Sequence, residues 1–128
     1  MPTLSRRGGA TAVLAALTWS VLGIGAADHA AAHTELESSS PANGALLKHS
    51  PTQAKLTFSE SVTPIRDKFV LRGAGGSPVE IGRVKRAGDS VIVPIKESLE
   101  NGTYLLSYGV ISDDGHAVKG GLAFRVQQ

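Results

Sequence analysis

The stretch TYLLSYGVI, residues 103–111, decides the fold. Tyr104, Leu106, Tyr108 and Val110 recur in it at every second position, which places all four side chains on one side of an extended chain. A two-residue period of this kind predicts a half-buried β-strand. We see no comparable helical period after residue 32.

Shorter runs on either side of this strand show similar patterns. Leu56 and Phe58 stand two positions apart, and so do Leu122 and Phe124. Turn signals separate the runs at 43–44, 73–78, 87–89, 101–102 and 114–115. Punctuated strands about ten residues apart predict an all-β domain, an immunoglobulin-like Greek-key β-sandwich or barrel of about seven strands. Pro94 interrupts the run 91–95, so we expect that strand to lie at a sheet edge or to be bulged there.

Composition excludes several classes of protein. The chain has 128 residues and no cysteine, which excludes disulfides, thiolate zinc sites and cysteine nucleophiles. Its 13 basic and 11 acidic residues leave no basic stripe for nucleic acid. No nucleophile elbow and no phosphate-binding loop before a helix is present. We therefore expect neither nucleic-acid binding nor these common catalytic sites.

The first 32 residues have the pattern of a secretory signal. Two arginines precede an apolar stretch at 10–27, and small alanines follow at 30–32. Cleavage after Ala32 makes His33 the first residue of an exported, periplasmic or extracytoplasmic domain spanning 33–128. Cleavage after Ala27, a twin-arginine export route and an uncleaved membrane anchor are the alternatives. The chain stops soon after the last predicted strand, so we expect no fused membrane segment.

Asp114 and His116 form half of a candidate metal site. They stand two residues apart and so project to one side of extended or bulged backbone. Gly115 between them allows a tight turn that brings both side chains to one point. The alternative is a common Asp-Gly hairpin turn that is followed by histidine.

An N-terminal His33 would supply the other half. Its free α-amine and Nδ1 form a chelate, and His116 and Asp114 complete a set of three nitrogens and one oxygen. This donor set suits Cu(II). The sole methionine is Met1, so soft ligands for Cu(I) are missing. The alternatives are a frayed terminus at His33 and, for His49, either a surface residue or a weak accessory ligand.

The sequence from 33 to 126 resembles the CopC family of exported copper-binding proteins. His33-Thr34-Glu35-Leu36 resembles the family's opening, and 56–62 resembles its L-x-F-S-E-x-V segment. Residues 99–104 resemble L-x-x-G-x-Y, and 110–120 resemble the S-x-D-G-H-x-v-x-G segment. The four segments occur in order and with the family's spacing.

The resemblance implies an immunoglobulin-like fold that binds Cu(II) through His33, Asp114 and His116. It also implies a copper carrier or buffer in homeostasis or resistance, with an inner-membrane copper transport protein as partner. Two other functions stay open on the sequence. One is an enzyme like the N-terminal-histidine copper monooxygenases, and the other is a metal-free adhesion or assembly module.

Overall fold

The computed structural model describes residues 34–128. This part of the chain contains ten strands: β1 Leu36–Ser40, β2 Ala45–Leu47, β3 Gln53–Phe58, β4 Val62–Pro64, β5 Val70–Arg72, β6 Pro78–Val79, β7 Lys85–Ala87, β8 Ser90–Pro94, β9 Gly102–Ser112 and β10 Ala117–Val126. Two single 3₁₀ turns, Arg66–Lys68 and Ala74–Gly76, are the helical segments of this region. Among these residues no helix has the length and apolarity that crossing a bilayer demands.

The strands form two sheets. A four-stranded sheet has the order β1-β3-β8-β7. A six-stranded sheet has the order β2-β10-β9-β5-β6, with β4 paired to the C-terminal end of β9. All pairings are antiparallel except that of β2 with β10. The predicted all-β sandwich is confirmed.

The core lies between the sheets and is filled by the inward residues of β9, β10, β3 and β8. Tyr104, Leu106, Tyr108 and Val110 all point into it, as the alternation predicts. The edge of the Phe58 ring meets the Tyr108 ring, with centroids 5.6 Å apart. Burial of this apolar set removes it from water and supplies the main driving force for folding.

The structure has more strands than the seven or so that the sequence predicts. β2, β4 and β7 contain three residues each. Segments this short show at most one alternation, so the sequence period cannot reveal them. They are strands because they pair with longer neighbours, β2 with β10, β4 with β9 and β7 with β8.

The expectation for Pro94 is wrong. β8 lies between β3 and β7 in the interior of its sheet, and Pro94 is its last residue. The Pro94 carbonyl accepts a 2.8 Å hydrogen bond from the Gly82 N–H. β7 begins only at Lys85, so the sheet requires no donor from Pro94 on that side.

Candidate metal centre

The loop between β9 and β10 holds the two candidate ligands that the structure describes. The Ser112 N–H donates to the His116 carbonyl at 2.9 Å, and the Gly115 N–H donates to the Ser112 carbonyl at 2.9 Å. Gly115 has φ +90°, a conformation that disfavours residues with a Cβ. A closed turn therefore joins the two longest strands of the domain and fixes the backbone of Asp114 and His116.

Asp114 accepts three hydrogen bonds within this turn. Its Oδ1 accepts from the Ser112 hydroxyl and from the His116 N–H, the latter at 3.1 Å. Its Oδ2 lies 3.1 Å from Nδ1 of His116. A carboxylate has about four acceptor positions, so one position on Oδ2 stays available. The turn thus orients the carboxylate before any metal arrives.

The hydrogen bond from Ser112, followed by that from the His116 side chain, holds the pKa of Asp114 well below its usual range. Each bond favours the ionised carboxylate over the protonated acid. Asp114 is consequently an anion at every pH at which histidine is neutral. An anionic oxygen beside a neutral imidazole is a donor pair suited to a divalent metal ion.

The imidazole of His116 is oriented by the same contact. If Nδ1 carries the proton that it donates to Asp114, the lone pair of Nε2 is free for a metal. The Nε2 atom faces away from Oδ2 in this arrangement. Metal bonds of about 2 Å from one ion to both atoms therefore require the imidazole to turn. The His116 side chain is 77% exposed, which leaves it room to do so.

The structure brings together two of the three predicted ligands. His33 lies outside the described residues. Within 34–128, no group of three or more histidine, cysteine, aspartate or glutamate side chains is placed to hold a metal. His49 is exposed and follows β2, which runs beside the far end of β10 at Phe124–Val126. It lies at the end of the sandwich opposite the Asp114–His116 turn.

The role of Ser112 is not evident from sequence reasoning about ligands. Ser112 is buried, and its hydroxyl connects the end of β9 to the Asp114 carboxylate. The serine two positions before the aspartate is part of the segment that resembles the CopC motif, and this was the available signal.

Comparison with known proteins agrees with the fold. The CopC domain family model matches residues 36–127. Copper resistance protein C of Xanthomonas campestris pv. juglandis is 33% identical over 104 residues, which cover 75% of this chain and 81% of that protein.

Solved structures show the same architecture. CopC from Methylosinus trichosporium OB3b is similar with a TM-score of 0.66 and 26% identity, over 74% of this chain and 94% of that one. PcoC from Escherichia coli, described as a methionine-rich copper resistance protein, has a TM-score of 0.64 and 29% identity, over 75% of this chain and 100% of that one.

These findings define a class of small β-sandwich proteins whose named members include copper resistance proteins. The chain belongs to the CopC family. It is a copper-handling, copper-binding protein and not an enzyme.

Proposed function

We propose that this protein is an exported Cu(II) carrier or buffer that serves copper homeostasis or resistance in the periplasm or another extracytoplasmic space. Residues 1–32 act as a signal peptide, and 33–128 are the mature domain. The ligands are the α-amine and Nδ1 of His33, an imidazole nitrogen of His116 and a carboxylate oxygen of Asp114. The observation that carries the proposal is the contact of Asp114 with His116 in one turn, where Ser112 orients the carboxylate.

The contacts that hold the start of the described chain support a role for His33. The Thr34 hydroxyl donates to the Glu60 carboxylate, and Thr34 is only 5% exposed. The next residue forms two bonds with Ser59, at 2.9 and 2.8 Å. Two residues after Glu60, Val62 pairs with Ser112 on β9. Thr34, where the described chain starts, is therefore held at the end of the sandwich that carries the Asp114–His116 turn.

The available donors favour Cu(II) over Cu(I). Three nitrogens and a carboxylate oxygen form a hard, tetragonal set, and Cu(II) stands highest in the series of divalent metal affinities. Met1 is the only methionine and the chain has no cysteine, so sulfur ligands for Cu(I) are absent from the mature sequence. Cargo held as Cu(II) is consistent with a protein that stores or passes on the ion without redox chemistry.

The ion enters from solvent, because the Asp114–His116 turn is exposed at the end of the sandwich. Binding displaces a proton from the α-amine and from any protonated imidazole. Release to a partner reverses these steps. We propose an inner-membrane copper transport protein as that partner, as the family resemblance implies.

The test begins with intact-mass spectrometry of the protein exported by its host, which identifies the first residue. Electron paramagnetic resonance of that form with one equivalent of Cu(II) is expected to show nitrogen coupling that weakens in His116→Gln. His49→Gln is the matched control, because His49 is exposed at the opposite end. A mature protein that begins elsewhere, or a spectrum unchanged by His116→Gln, contradicts the proposed ligand set.

A further inference from the structure

Three large apolar side chains are exposed within 34–128, and all three lie on one surface. They are Leu46, Leu105 and Ile111, with exposed fractions of 57%, 49% and 39%. Leu105 and Ile111 alternate with the inward residues of β9 and therefore point out of the six-stranded sheet. Leu46 lies between two residues that pack on the core, so it points outward too. Their clustering on one sheet face calls for an explanation that scattered surface leucines do not.

Small residues lie opposite two of these side chains on the neighbouring strand. Ala123 is directly opposite Leu105, and Ala117 is directly opposite Ile111. Two outward-facing pairs lie between them, Gly121 with Ser107 and Lys119 with Gly109, and the Lys68 side chain packs on Gly109. Ile111 lies six positions after Leu105, which corresponds to about 20 Å of strand. We name Leu46, Leu105, Ile111, Ala117 and Ala123 the outer patch.

Every charged residue that points outward from the strands of this sheet is basic. Arg72 pairs with Leu105, Arg125 pairs with Leu46, and Lys119 lies between Gly121 and Ala117 on β10. The turn Arg66–Lys68, which covers Gly109 on the same surface, adds two basic residues and one acidic residue. The outer face of the four-stranded sheet differs, because β3 presents Gln53, Lys55 and Thr57 there.

We propose that the outer patch is a docking surface for a partner protein whose contacting segment is apolar and bears carboxylates. The basic residues beside and within the patch supply the charge complementarity, which steers such a partner and selects it. A second copy of this chain docked face to face would oppose the same basic groups and is disfavoured. A flat bilayer would reach Leu46 and Leu105 but leave the floor of small residues unfilled, whereas side chains of a protein can pack into it.

The position of the patch connects it to the rest of the molecule. Ile111 and Ala117 flank the turn that carries Asp114 and His116. A partner that covers the patch therefore lies beside that turn. The docking surface is independent of the proposed copper ligands, since none of its residues belongs to that set.

The test is site-specific photo-crosslinking in the native host, using the full-length chain with a photoreactive residue at position 105. The same residue at position 55, on the other sheet, is the control. We expect an adduct with another protein at 105 that is absent at 55. Mass spectrometry of the adduct is expected to map the crosslink to an apolar segment with neighbouring Asp or Glu.

The purified pair then gives a charge-swap test. Arg125→Glu is expected to weaken binding at least tenfold, and a Lys in place of the mapped carboxylate is expected to restore it. Lys55→Glu makes the same change in net charge on the other sheet and is expected to leave binding unchanged. Near-ultraviolet circular dichroism of each variant confirms that it is folded.

Four results would overturn the proposal. They are no adduct at 105 above the level at 55, an adduct with a second copy of the chain, a partner segment without carboxylates, and failure of the charge swap to restore binding. Binding of the protein to phosphatidylglycerol vesicles that is lost in Leu105→Glu would assign the patch to a lipid surface instead. Loss of Cu(II) binding in other variants would leave this proposal untouched.

Discussion

Thr34→Val tests the contact that fixes the start of the domain. The change keeps the size of a buried side chain that is 5% exposed and removes only its hydroxyl. Glu60 then loses its hydrogen-bond donor. Bonds to charged groups contribute about 1.5–3 kcal/mol. Glu60 is only half-buried, so water can replace part of the bond, and we expect a loss of about 1 kcal/mol.

The loss should appear in two assays. For a domain of this size, about 1 kcal/mol lowers the thermal midpoint by about 4–8 °C. If the residue before Thr34 binds Cu(II), this bond holds the start of the chain in place beforehand, and without it Cu(II) binding must immobilise that segment. That cost of about 1 kcal/mol corresponds to an affinity about fivefold weaker, measured by competition with a Cu(II) chelator.

Thr34→Ser is the matched control. It retains the donor but loses a buried methyl group, which costs about 0.8 kcal/mol. It should therefore lose stability as the valine variant does, yet keep the Cu(II) affinity of the wild type. Equal affinity in wild type and Thr34→Val, or an equal loss in both variants, would refute the reasoning that links this contact to the metal.

Three further changes test the core and the turn. Phe58→Ala removes a fully buried ring and is expected to cost about 3–5 kcal/mol in urea unfolding, whereas Leu105→Ala on the outer face should cost under about 1 kcal/mol. Gly115→Ala places a Cβ at φ +90° with nothing within 4 Å of it, so backbone strain alone should cost about 1–2 kcal/mol. In Ser112→Ala the pKa of Asp114 should rise towards its usual range, as carboxyl nuclear magnetic resonance would show. A folded-state pKa below the unfolded value of about 3.9 stabilises the fold at higher pH, and this stabilisation is lost as the pH falls through the folded-state pKa. The wild type should therefore lose its stability advantage over Ser112→Ala in acid. A stability advantage that persists there would contradict this reasoning.

The alternation in 103–111 was sufficient to predict the central strand, because one face of it is buried along its whole length. The three-residue strands β2 and β4 carry no such period, and they form because the long β9–β10 hairpin offers them partners. The edge prediction from Pro94 was wrong because a strand in the interior of a sheet can end at proline. Whether a residue ends a strand or interrupts it depends on its neighbours in space.

Of the candidate site, the sequence predicted that two side chains lie close together. The spacing of Asp114 and His116 was sufficient to pair them. Sequence spacing does not specify the path of the turn. That path decides that Nδ1 of His116 faces the carboxylate and that Ser112 donates a hydrogen bond to it. The part played by His33 remains a prediction, because it depends on cleavage of the chain.

The most direct measurement is a Cu(II) titration of two purified proteins, one that begins at His33 and one that carries a single extra alanine before it. The extra residue converts the α-amine of His33 into an amide and leaves 34–128 unchanged. The account predicts that the extended protein binds Cu(II) at least 100-fold more weakly at pH 7, about 2.7 kcal/mol, because the amine–imidazole chelate is lost. Equal affinities would contradict it.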